Sequence, residues 1–257
     1  GDAWSADTLA LSFSTTKGIV ATLLHILACR HEIDYDTPVA RYWPAFAANG
    51  KGRITVRQLL CHEAGLYSIR RLIHDAGGMR DWPHMLELIE GAEPVRAPGS
   101  GNGYHALTFG WLVGGRVEKV AGKPLAQVLQ EEVTQPLGLG GCFIGVPDSE
   151  LGRCADLILP ERKPRPEGVS RRPRKPPLAR QVVASALRLS GFDPDSIEEA
   201  MVPPGMGRFD WNAREARQAC IPGAGGMFDA RSLARLYAML GNDGELDGVR
   251  LLDPGAV

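Results

Sequence analysis

A predominantly helical globular domain is what this sequence predicts, and three observations predict it. Apolar residues recur at helical spacing in several segments, glycine and proline punctuate the ends of those segments, and alternating patterns of strand length are absent. With 257 residues, 44% of them hydrophobic and 23% charged, the chain has the material for a core without disulfides or a metal. Its formal charge of −1 argues against a nucleic-acid partner, which would call for a basic excess.

The elements follow in order. Ser14 to Cys29 carries Ile19, Val20, Leu23, Leu24, Ile26 and Leu27 most of the way round a helical wheel, so a buried helix with Ser14 at its start is expected. Asp34 to Asn49 reads as a turn-rich connector. Thr55-Val56-Arg57-Gln58 has the form of a capping box and opens a short helix, with Gly65 as its left-handed stop. Trp82 to Glu90 is a short amphipathic helix, and the glycines and prolines of 94–103 make a loop. From Leu107 to Val120 helical spacing resumes, with Gly114-Gly115 allowing a close helix contact and Gly122 ending the run. Pro124 opens a further helix through Val133.

Residues 161–180 hold eight basic side chains, two acidic ones and five prolines, a composition that resists packing and predicts an exposed loop within a domain spanning 1–257. Beyond it come a helical stretch near Gln181–Ser190, a loop around Met201–Gly207, the cluster Gly223-Ala224-Gly225-Gly226 as a tight turn, and a helix from Asp229 as N-cap through Leu240. The longest apolar stretch, Ile19 to Cys29, is about half a membrane span, so no span is expected. Cys29, Cys61, Cys142, Cys154 and Cys220 form an odd set without a Cys-x-x-Cys pair, which fits reduced thiols in a cytoplasmic setting better than a disulfide framework or a zinc site.

Ser14-Thr15-Thr16-Lys17 is the sharpest chemical pattern. Three residues is nearly one helical turn, which sets the Lys17 amine beside the Ser14 hydroxyl. Burial disfavours the charged ammonium, and a neutral amine can take the serine proton. Free N–H groups at the helix start can bind a developing oxyanion. The plainer alternative is an N-cap serine followed by a solvated lysine. Against it stand the apolar residues Leu9 to Phe13 ahead and the buried helix behind, which leave Lys17 poorly solvated.

These residues resemble the serine hydrolases of the β-lactamase and penicillin-binding type, and within them the class C-like family VIII carboxylesterases. The resemblance rests on Phe13 to Gly18, Ile54 to Leu66, Gly103-Tyr104-His105-Ala106, Phe109 to Gly114, Pro136 to Leu139 and Ile221 to Met227 with the following Ser232-Leu233-Ala234. It implies an α+β fold in which a helical subdomain packs against an antiparallel sheet, mostly the helical part being present here, with strands lacking at both ends. It also implies that Ser14 is the acylated nucleophile, Lys17 its activating partner and Tyr104 a proton shuttle, with His105 in the tyrosine motif contacting substrate. No cofactor or metal is implied. Two departures bear on the substrate. The family's Tyr-x-Asn reads Tyr104-His105-Ala106 here, without the amide that would hold a β-lactam's acylamino group, and no later glycine-rich strand motif is found before Val257. The first leans towards a small-molecule ester; the second leaves the second oxyanion donor without a match and motivates a non-catalytic alternative.

Other patterns are weaker. Cys61 and His62 are adjacent, and neighbouring side chains on a helix point about 100° apart, so a packing role is expected for them rather than a thiol and base pair. No Gly-x-Ser-x-Gly is present. The rival functions are cleavage of β-lactams or D-amino-acid peptides at the same site, and a non-catalytic relic or binding module. A nucleic-acid role for 161–180 ranks last, since that segment has no aromatic residue for stacking.

Overall fold

Helix α1, Thr15–Cys29, forms the spine of the molecule, and its buried residues lie on almost every side. The computed structural model describes residues 3–158 and 194–256, so the basic segment 161–180 and the helix expected at Gln181–Ser190 lie outside the described residues. Short helix α2, Val56–Leu60, has the capping box read from its sequence, with Thr55 Oγ1 accepting from the Gln58 amide and Gln58 Oε1 accepting from that of Thr55. Its left-handed exit falls on His62 at φ +60° instead of waiting for Gly65, which is also left-handed at φ +71°. A one-turn helix α3, Ile69–Leu72, follows.

Helix α4, Trp82–Gly91, starts from Asp81, whose carboxylate accepts from the His84 amide. It packs on α5, Thr108–Ala121, which in turn lies along α1. The glycine pair expected to allow close contact does so: a Cβ at Gly115 would stand 2.7 Å from Leu86, and one at Gly114 2.9 Å from Leu125. The segment expected as one helix to Val133 divides into α6, Leu125–Leu129, and a π-helical turn, Gln130–Thr134. After the undescribed residues come α7, Pro194–Met201, which ends where the loop around Met201–Gly207 is expected, then α8, Arg214–Gln218, and α9, Ala230–Gly241, capped by Asp229 as expected.

The strands are two or three residues each. β1 (Ala10–Leu11), β2 (Cys142–Ile144) and β3 (Gly226–Phe228) make an antiparallel sheet with β3 in the middle, Phe228 standing opposite both Ala10 and Cys142. β4 (Glu245–Leu246) and β5 (Val249–Arg250) form a hairpin turned by Asp247 and Gly248, both at positive φ. Helices around a small antiparallel sheet give the α+β class. One large core centres on α1 and α5 and takes in Trp43, Phe46 and Trp111. Lys51 is fully buried beside it, its ammonium donating to the carbonyls of Ala48 at 2.8 Å, Glu90 at 2.9 Å and Ala92, which closes the end of α4.

Candidate active site

The mouth of α1 is tied to the central strand. Ser12 N–H donates to the Gly226 carbonyl at 2.9 Å, and Gly226 N–H donates to Thr16 Oγ1 at 3.0 Å. The Thr16 hydroxyl itself donates to the Phe13 carbonyl at 2.6 Å. Phe13 adopts φ +41°, uncommon for a bulky residue and costly enough to need such fixing. The residue it presents next is Ser14, exposed to solvent at the N-cap, with its hydroxyl making no cap bond to the helix.

Lys17 is 8% exposed, and its Nζ lies 3.0 Å from Ser14 Oγ. The same amine donates to the Gly223 carbonyl at 2.7 Å. Burial alone lowers its pKa to about 8. The glycine cluster accounts for that second contact. Residues 221–225 turn tightly against the start of α5, where a Cβ on Gly223 would run into the Leu107 carbonyl and one on Gly110 into the Gly223 nitrogen. Only glycines allow this approach, and it carries the Gly223 carbonyl onto the lysine.

Tyr104 completes the group from the other side, its hydroxyl 2.9 Å from Ser14 Oγ and its ring 41% exposed. The Lys17 Nζ stands 5.2 Å from the ring centroid. Tyr104 ends the loop 94–103, which is held along the segment that leaves α2. The carbonyls of Cys61, His62, Glu63 and Gly65 accept from Asn102 Nδ2 and from the amides of Gly103, Gly99 and Val95, at 2.6 to 2.9 Å.

The structure therefore brings together Ser14, Lys17 and Tyr104 and leaves His105 out. His105 has no exposed surface, and its Nε2 accepts from the Leu66 amide at 3.0 Å. Burial, with His62 beside it, pushes its pKa down to about 3, so it is a neutral interior residue instead of the substrate contact expected from its place in the motif. The neighbour at Cys61, in contrast, is exposed, and His62 packs its ring against Tyr104. Ala106 is also buried, between Tyr67 and Ala200. Among the described residues no group of three His, Cys, Asp or Glu side chains is placed to hold a metal ion, and no helix is long and apolar enough to cross a membrane.

Comparison with known proteins identifies the family of the chain. The family model described as Beta-lactamase matches residues 1–255. Esterase/beta-lactamase LipL of Mycobacterium tuberculosis (strain ATCC 25618 / H37Rv) is 38% identical over 250 residues, which are 97% of this chain and 54% of that protein. The chain thus spans about half the length of this curated relative. A family VIII carboxylesterase crystal structure superposes with a TM-score of 0.80 at 35% identity, covering 98% of this chain and 61% of the other. A penicillin-binding protein homolog from Caulobacter crescentus gives 0.77 at 34% identity, covering 97% and 60%.

Proposed function

The chain belongs to the β-lactamase family of serine hydrolases, and from that premise we propose that it hydrolyses carboxylic esters through an acyl-enzyme on Ser14. The observation that carries the proposal is the convergence on one hydroxyl: Lys17 Nζ at 3.0 Å and Tyr104 Oη at 2.9 Å from Ser14 Oγ. In the first step Ser14 Oγ attacks the ester carbonyl and passes its proton to the neutral Lys17 amine. The carbonyl oxygen becomes an oxyanion against the Ser14 amide, for which no partner is found among the described residues. Tyr104, partly exposed to solvent, gives a proton to the departing alcohol oxygen as the C–O bond breaks, and recovers one from the lysine. A water then attacks the acyl carbon, giving its proton to the same pair; the bond from that carbon to Ser14 Oγ breaks, the pair returns the proton to Oγ, and the carboxylic acid leaves.

Esters are favoured over β-lactams by the absence of a side-chain amide in Tyr104-His105-Ala106. The relatives support the same class, since one is an esterase/beta-lactamase by name and another a carboxylesterase. The first of those names also motivates the second reading, β-lactam cleavage at the same serine. Five cysteines with free thiols suit a reducing, cytoplasmic compartment, which cell fractionation would test. The direct test of the mechanism is labelling of the protein with a fluorophosphonate, followed by peptide mapping. The adduct is expected on Ser14, and an adduct elsewhere sinks the assignment. Turnover of nitrocefin matching that of a short p-nitrophenyl ester would replace the ester reading with the second one.

A further inference from the structure

We infer that His62 is a positioning residue of the reaction, a two-point clamp that holds the backbone on either side of Tyr104 and so aims its hydroxyl at Ser14. The inference rests on the serine hydrolase reading above. Its geometry is specific. The His62 carbonyl accepts from the Gly103 amide at 2.9 Å, and the His62 Nδ1 accepts from the His105 amide at 3.1 Å. A single residue therefore holds the peptide N–H groups immediately before and after the tyrosine. Between these two bonds, its ring stands edge-on to the Tyr104 ring at 5.0 Å between centroids, with Phe109 at the same distance supporting it from α5.

The rest of the loop shows why such a clamp matters. Tyr104 follows a stretch rich in glycine and proline, with no helix or strand of its own from 94 to 103. A misplacement of about 1 Å at the reacting group can cost on the order of a hundredfold in rate. His62 is itself held in the left-handed region at φ +60°, where a non-glycine residue persists only when its surroundings fix it. To accept an N–H bond, Nδ1 must carry no proton. Burial, reinforced by the nearby Lys17 charge, lowers the His62 pKa to about 4, which keeps that acceptor available through the neutral range.

Two substitutions separate the clamp from general packing. His62→Gly removes the acceptor and the ring while suiting the positive φ, and His62→Asn places an amide oxygen near the position of Nδ1 in a residue that tolerates the same backbone. On a p-nitrophenyl ester, His62→Gly is expected to lower kcat by ten- to a hundredfold with KM within about threefold, and His62→Asn to recover most of that loss. Combined with Tyr104→Phe, His62→Gly should add little further loss, because the group it aims is already gone. Amide hydrogen exchange reads the side-chain arm of the clamp without any turnover: protection at His105 should fall in His62→Gly and return in His62→Asn, while Gly103, bonded to the backbone carbonyl of residue 62, stays protected. Unchanged exchange, or losses in kcat that simply multiply with those of Tyr104→Phe, overturns the inference. Failure of the underlying reading shows separately, as a wild-type protein that takes no fluorophosphonate on Ser14.

Discussion

The Lys17 amine rests on the Gly223 carbonyl at 2.7 Å, a contact between residues 206 positions apart in the chain. A carbonyl oxygen accepts but cannot donate. The bond orients the amine towards Ser14 and supplies no counter-charge, and burial lowers the lysine's pKa to about 8.

The first prediction concerns that charge. If Lys17 takes the serine proton, kcat/KM rises with pH through about 8 as the amine becomes neutral. Lys17→Met should cost at least about a thousandfold in rate and remove this limb of the profile. Stability moves in the same direction. The folded pKa lies below the ordinary lysine value of 10.5, so between about 8 and 10.5 the unfolded chain binds a proton the folded one has released, and stability climbs with pH across that window. Replacing the buried amine by Met should stabilise the protein by on the order of 1–3 kcal/mol at neutral pH and flatten that slope. Thermal melts of both forms at pH 7 and pH 10 check the sign.

The glycine turn gives the second. At Gly110 a Cβ would overlap the backbone of Pro222 and Gly223, atoms that no rotamer change can move aside. Gly110→Ala should destabilise by about 2 kcal/mol or more and shift the Gly223 carbonyl off Lys17. Activity should therefore fall further than the loss of folded protein explains, as measured by rate per folded molecule from circular dichroism. Gly122→Ala is the control of opposite kind: its φ is +66° and no atom of the described residues stands within 4 Å of its Cβ, so it carries backbone strain without touching the site.

Helices were legible in the sequence wherever periodicity and caps agreed. Thr55 and Asp229 announce α2 and α9 because each cap is a local bond between residues three apart. The strands were not legible, since two or three residues cannot display alternation. Even so, Leu246-Asp247-Gly248-Val249 holds the dipeptide that favours a two-residue hairpin, although the flanking strands are too short to show alternation. At the site, Ser14 and Lys17 were readable because one helical turn joins them, and Tyr104 followed from its motif. His62 and Gly223 were not assigned to the site, because their contacts with Tyr104 and Lys17 depend on how distant segments pack. His105 misled for the complementary reason. Adjacent to an exposed tyrosine in sequence, it turns inward to the Leu66 amide.

Lys51 carries a third prediction, about stability alone. Its ammonium satisfies three carbonyls from two segments at the end of α4. Lys51→Met keeps the apolar stem and removes the donors to the Glu90 and Ala92 carbonyls, whereas the Ala48 carbonyl keeps the Lys51 amide at 3.2 Å. The expected loss is about 2–4 kcal/mol, with kcat per folded molecule unchanged, as urea unfolding and an ester assay would measure together. A melt equal to that of the wild type would show that water can replace the ammonium there.

The last prediction addresses substrate choice. The family's Tyr-x-Asn places an amide where this chain has Ala106, and restoring it by Ala106→Asn is the obvious route to a β-lactam-cleaving variant. Ala106 is only 5% exposed and packed with Tyr67 and Ala200. An asparagine there must fit extra volume and two polar groups into an apolar contact, at a cost of about 1–3 kcal/mol if they remain unpaired. Ala106→Asn alone is therefore expected to lower the melting temperature and leave the ratio of nitrocefin to ester turnover unchanged. Relieving the crowding through Tyr67→Ala in the same chain gives the amide room. A rise in that ratio only in the double variant would locate the barrier in packing, whereas a rise in the single one would refute it.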